Sequence, residues 1–114
     1  MIRKIKLQRW AILGAGIWIC SLAYGQNPSQ SLEARVKFCE SCHGPDGNKP
    51  ITPVFPKIAG QYPDYLAKAL KDYRAGKRPN PIMRANAASL DDKTIQQLAD
   101  YFASKKGDLV VKQY

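Results

Sequence analysis

Apolar residues recur at helical spacing in three stretches of this chain, and no stretch alternates apolar with polar residues as a strand would. Leu32, Val36 and Cys39 fall on one face of a helix predicted over about 31–42, with Ser31 or Ser29 placed to cap its start. A second helix is predicted over about 63–75. Pro63 suits its first turn, Tyr62, Leu66, Leu70 and Tyr73 recur on one face, and Gly76 stops it. The third is predicted over about 92–104, where Asp91 caps the start and Ile95, Leu98, Ala99 and Phe102 form the apolar stripe. Lys105-Lys106-Gly107 closes it in the sense that the helix dipole favours. The fold class expected is all-α.

Long loops separate these helices. Between Gly44 and Gln61 lie Pro45, Pro50, Pro53 and Pro56, which forbid a regular element there. Met83 falls in a further loop rich in Pro and polar residues, between Pro81 and the last helix. Connections this long are seldom idle in a small domain, and wrapping the edge of a flat cofactor would account for them.

The first 25 residues form a separate object. Arg3, Lys4, Lys6 and Arg9 make a basic head, and the apolar run from Trp10 to Leu22 is only 13 residues long, short for a bilayer span. Ala23-Tyr24-Gly25 offers small residues where a signal peptidase reads, so 1–25 is expected to be a secretory signal peptide and 26–114 the functional domain. The alternative is an uncleaved N-terminal anchor. Cys20 reads as an apolar signal residue, since the bulky Ile19 before it does not suit lipid attachment.

Removing this segment, with its four basic and no acidic residues, leaves 89 residues and lowers the formal charge from +9 to +5. One domain is all such a chain can hold. A domain of that size buries only about 60% of its unfolded surface, so a staple is expected. Cys39 and Cys42 are the only cysteines left, and the loop they would close as a disulfide is too short to constrain the unfolded chain. They are better explained by something they bind.

Cys39-Glu40-Ser41-Cys42-His43 has the Cys-x-x-Cys-His spacing of covalent haem attachment. One helical turn brings the two thiols to one face for addition to the two haem vinyl groups, and the adjacent imidazole is presented to the iron. Gly44 lets the chain turn away. A structural zinc site would want four ligands, and no second Cys/His pair exists. A thioredoxin-like redox pair would sit in a βαβ pattern, which is absent. Iron in an electron carrier is normally held on both faces. With one His in the whole sequence, bis-His ligation within one chain is impossible, and Met83, the sole methionine besides the initiator, is the candidate second ligand. Its alternative role is to fill a gap in the core.

These residues resemble a class I cytochrome c, especially the branch with the dihaem cytochromes c-four and the small monohaem cytochromes c-five-five-three. The resemblance rests on Cys39 to Gly44, Asp46-Gly47, Phe55-Pro56-Lys57-Ile58-Ala59-Gly60-Gln61, Tyr65-Leu66, Tyr73 to Arg78, Met83 and Leu98 to Phe102, in that order. It implies a small class I cytochrome c fold, with three main helices and long loops wrapped around one haem c. Pro56 then looks like the proline whose carbonyl accepts a hydrogen bond from the proximal imidazole. Tyr101 and Phe102 would lie where the last helix crosses the first. Only one haem motif is present, so a single haem is expected.

A His43/Met83 pair leaves no open coordination site, which implies a periplasmic electron carrier cycling between Fe(II) and Fe(III) rather than an enzyme. A second reading is the cytochrome subunit of a larger oxidoreductase. A third, a peroxidase or gas sensor, requires displacement of Met83. The basic mature chain favours redox partners with acidic docking surfaces, not nucleic acid, and meets a membrane only through partner complexes. Lys57, Lys77, Arg78 and Arg84 are the candidate docking ring; the alternative is a basic surface kept for solubility.

Overall fold

The structure is a computed structural model, and it describes residues 31–110. The export segment expected over 1–25, its Cys20 and the alternative cap Ser29 lie outside the described residues.

The first helix, α1 (Leu32–His43), starts where Ser31 accepts a hydrogen bond from the Ala34 N–H at 3.2 Å. It runs through the whole Cys-x-x-Cys-His motif, one residue further than the apolar pattern predicts. Gly44 ends it at φ 79°, donating its N–H to the Glu40 carbonyl at 2.8 Å. The Lys49 backbone passes so close that a Cβ on Gly44 would lie 1.7 Å from its carbonyl oxygen, so only glycine serves.

One 3-10 turn, Pro45–Gly47, is the only regular structure in the proline-rich loop. The loop is nonetheless tied down. The Gly47 carbonyl accepts from the Ile58 and Ala59 N–H groups at 2.8 and 3.1 Å, and the Gly60 N–H donates to the Phe102 carbonyl at 2.9 Å. A chain that prolines bar from regular structure is thus fixed by isolated bonds, from its start to its end and from its end to α4.

The second helix, α2 (Pro63–Arg74), begins with Pro63 in its first turn and carries Lys71 and Arg74 in its last. After it comes a short helix the sequence pattern does not predict, α3 (Pro81–Ala87). Asn80 accepts a hydrogen bond from the Met83 N–H at 2.9 Å, and Pro81 sits in the first turn. The expected loop around Met83 is therefore a capped helix, in which Pro81 starts an element rather than breaking one. The last helix, α4 (Asp92–Ala103), is capped by Asp91, which accepts from the Thr94 N–H at 2.7 Å.

Helix α4 packs against α1 and α2, and α3 packs against α2. Between them lie Val36, Leu66, Ala67, Ala87, Leu90, Ile95, Leu98, Ala99 and Phe102. Arg74 clamps the end of α2 to the start of α4, donating to the Leu90 carbonyl at 2.7 Å and to Asp92 at 2.6 Å. Three of the core residues are alanines, and Ile95 and Leu98 are the largest side chains fully enclosed. So thin a core leaves much of the interior to something else. No described helix is long and apolar enough to cross a membrane.

Gly47 is where the proline-rich loop packs against α4. It holds φ 76°, and a Cβ there would lie 2.6 Å from the Ile58 side chain and 2.9 Å from the Phe102 ring. Gly47→Ala should cost about 1–3 kcal/mol through the left-handed backbone alone, with steric overlap added. The expected result is a lower urea midpoint at unchanged slope. An unchanged midpoint would mean that the turn is not fixed as described.

Candidate functional site

The last turn of α1 brings Cys39, Cys42 and His43 to one wall of an open cavity of about 540 Å³. His43 is 7% exposed, the one buried polar side chain among the described residues. Its Nδ1 lies 2.7 Å from the Pro56 carbonyl oxygen. A carbonyl can only accept, so Nδ1 carries the proton and Nε2 keeps its lone pair for a metal. The edge of the Phe55 ring, 6.4 Å away between centroids, flanks the imidazole. The proline-rich loop thus supplies the group that fixes the tautomer and turn of the ring.

The two thiols are not joined to each other. Burial pushes the Cys39 thiol up to about 11, so within the folded frame it holds its proton at neutral pH. No cluster of three or more His, Cys, Asp or Glu capable of holding a metal ion occurs among the described residues.

Met83 lines the same cavity from α3, half-buried. Because its own N–H is bonded to the Asn80 cap, the backbone that carries the thioether is held by the start of the helix. Ile58, Leu66, Leu70, Tyr73, Leu98 and Phe102 supply apolar walls. Three cationic residues, Arg35, Lys57 and Arg78, also line the space, and no Asp or Glu does. The Arg35 Nε is buried without a hydrogen-bond partner. One imidazole with a free nitrogen, one thioether, two thiols, an apolar slot and cations without carboxylates form a donor set that fits haem c.

All five residues singled out in the sequence, Cys39, Cys42, His43, Pro56 and Met83, therefore meet in one cavity. The four docking-ring candidates differ in their relation to the cavity. Lys57 and Arg78 line the cavity, whereas Lys77 and Arg84 do not. Lys57 is paired with Asp108 at 2.8 Å, and Arg84 packs its guanidinium against Gly76. Tyr101 and Phe102 do lie at the crossing of α4 over α1, where the Tyr101 hydroxyl donates to Glu40 at 3.4 Å. Sequence reasoning missed Arg35 and Tyr65 as lining residues. Arg35 stands one turn before Cys39 on the same face, a signal that could have placed it.

The family described as Cytochrome c matches residues 33–106. The chain is 39% identical to cytochrome c4 of Pseudomonas aeruginosa over 88 residues, covering 77% of this chain and 43% of that protein. It is 36% identical over 66 residues to the cytochrome subunit of sulfide dehydrogenase of Chlorobaculum tepidum, covering 58% of each. The crystal structure of reduced recombinant cytochrome c4 from Pseudomonas stutzeri superposes with a TM-score of 0.56 at 40% identity, covering 60% of this chain and 38% of that one. This chain thus spans less than half the length of its cytochrome c4 relatives. A haem-attachment motif on one wall of an apolar cavity, an all-helical frame and these likenesses lead to one assignment: the chain belongs to the cytochrome c family, as a class I c-type cytochrome of the cytochrome c4 branch with haem c bound covalently through Cys39 and Cys42.

Proposed function

We propose that this protein is an exported, periplasmic electron carrier whose haem iron is held by His43 on one side and Met83 on the other. The observation that carries the reading is the 2.7 Å approach of His43 Nδ1 to the Pro56 carbonyl in a cavity that Met83 also lines. Bound haem supplies a one-electron couple between Fe(II) and Fe(III). The chain's own work is to hold that couple still. Cys39 and Cys42 fasten the group to α1, Pro56 aims the imidazole and strengthens it as a donor, and the Asn80 cap holds Met83 in place. The apolar walls keep water away, so little solvent has to rearrange when the charge changes.

With His43 and Met83 both holding the iron, a substrate would find no open position there, which favours a carrier over an enzyme. A second reading, the cytochrome subunit of a larger oxidoreductase, is favoured by the likeness to the cytochrome subunit of sulfide dehydrogenase. Both readings share the same haem chemistry and differ in whether the partner leaves. A stable complex on purification from native periplasm would select the second.

The mouth of the cavity suits brief docking. Phe38, Val54, Tyr65 and Ile82 line it and stand exposed, with Lys57 and Arg78 beside them and no acidic residue on the lining. An apolar rim with an excess of positive charge fits a partner with an acidic surface. Electron-transfer rates with such a partner should fall as salt rises from about 10 mM to 200 mM, because screening shortens to about 10 Å at 0.1 M. Rates independent of salt would count against docking by charge.

The ligand assignment is tested at Met83. A thioether ligand raises the reduction potential by favouring ferrous iron. The ferric protein should carry a weak long-wavelength sulfur-to-iron band. Met83→Ala should abolish that band, lower the potential and admit carbon monoxide to the ferrous form, while the haem stays covalently attached. An unmutated protein that lacks the band and binds carbon monoxide readily would overturn Met83 as ligand and favour the sensor or peroxidase reading.

A further inference from the structure

The carbonyl that meets His43 belongs to a peptide with little else to hold it. Before it, the Phe55 N–H donates to the Thr52 carbonyl at 3.2 Å, and after it the Ile58 N–H donates to the Gly47 carbonyl at 2.8 Å. Between those two points Pro56 has no N–H to give, and the Lys57 N–H makes no hydrogen bond to any described residue. The group that aims the imidazole therefore hangs between two anchors rather than on one.

The chain that follows α4 supplies a tie across that gap. It passes Gly107, which lies so close to the loop that a Cβ there would be 2.5 Å from the Ala59 carbonyl oxygen. The Asp108 N–H donates to the Asn48 side-chain oxygen at 3.0 Å, and the Asp108 carboxylate accepts from the Lys57 ammonium at 2.8 Å. Leu109, like Pro56 and Lys57, then lies on the cavity lining. The tail is thus a strap along the loop, in contact at Asn48, Lys57 and Ala59. Lys57, with help from Asn48, holds the Asp108 carboxyl below its ordinary range, so Asp108 is ionised throughout the neutral region. Both partners are partly open to water, which makes the tie modest in strength. What matters is the peptide it restrains, because the Cα of Lys57 closes the same planar unit that carries the Pro56 oxygen.

We propose that Asp108 is a positioning residue for the haem ligand: through Lys57 it steadies the Pro56–Lys57 peptide, so that the Pro56 oxygen keeps the hydrogen bond from His43. This rests on the reading of His43 as an iron ligand but not on which residue is the second one. A carbonyl kept against the Nδ1 proton stops the ring from turning and keeps the Nε2 lone pair aimed into the cavity. A peptide free to tilt would open that hydrogen bond more often and loosen the aim of the ring each time.

The test is solvent exchange of the His43 Nδ1 proton, followed by NMR in the ferrous holoprotein at fixed pH and temperature, because that proton leaves only when its bond to Pro56 opens. Asp108→Asn should speed exchange about two- to fivefold, the scale of an exposed ion pair. Lys57→Gln should speed it as well. Charge alone would act oppositely in the two, since losing an anion helps hydroxide approach and losing a cation hinders it. The double variant should be no faster than the faster single one, as expected where both changes remove one interaction. Asp108→Glu, which keeps the carboxylate, should lose little protection. Asp92→Asn, which breaks the exposed pair with Arg74 at the far end of α4, controls for general loosening and should leave this proton unchanged. The ring protons of His43 report separately on ligation: if they lack the upfield shift that a haem plane imposes on an axial imidazole, the ligand assignment fails while the exchange rates still test the tie to Pro56. Unchanged exchange in Asp108→Asn, opposite shifts in the two single variants, or a double variant whose speeding is the product of theirs would overturn the proposal.

Discussion

The constraint on which the rest of this structure depends is that two thiols and one imidazole must share one turn of helix and face one cavity. Everything else is arranged around the space that this turn addresses. The helices cannot close on one another, because the volume between them belongs to the haem, and the protein core proper shrinks to a few aliphatic residues, alanines and Phe102. A chain of this size would be marginal with such a core. Covalent attachment turns the missing part of the core into a permanent component, so that cofactor binding and folding are coupled.

Fixing the imidazole then requires a partner that no helix offers, and this explains the proline-rich loop. Its prolines remove backbone donors and keep the segment out of a helix or strand. The few bonds it does make, from Gly47 to Ile58 and Ala59 and from Gly60 to Phe102, place the Pro56 carbonyl against His43. Met83 is placed on the opposite principle, by a helix cap that acts on its own amide. Rigidity at both candidate ligands is what a carrier needs, because each exchange should move only an electron.

Much of this was legible in the sequence because its causes are local. The stripes of α1, α2 and α4 come from one face of each helix meeting the interior, and the haem motif is a chemical arrangement within five residues. Met83 followed from counting possible ligands. Pro56 was reached only through family resemblance, since a carbonyl carries no side-chain signal and its approach to His43 depends on the path of the whole loop. Helix α3 was missed because seven residues are too few for an apolar stripe, and the start signal that Asn80 and Pro81 together form lies in a stretch whose Pro and polar residues read as a loop. The cationic lining of the cavity was not legible for a similar reason. Charge has no period to read, and it is the turn at Gly76 that sends Arg78 to the cavity while leaving Lys77 outside its lining.

The central claim is that a covalently attached haem completes the interior of this chain. It is tested most directly by the mass of the protein, exported through a system that attaches haem, after unfolding and extraction in acidified acetone. The account predicts a coloured polypeptide whose mass is that of the mature chain plus one haem, with Cys39 and Cys42 both blocked to thiol reagents. A colourless polypeptide of unmodified mass, with both thiols free to react, would contradict it.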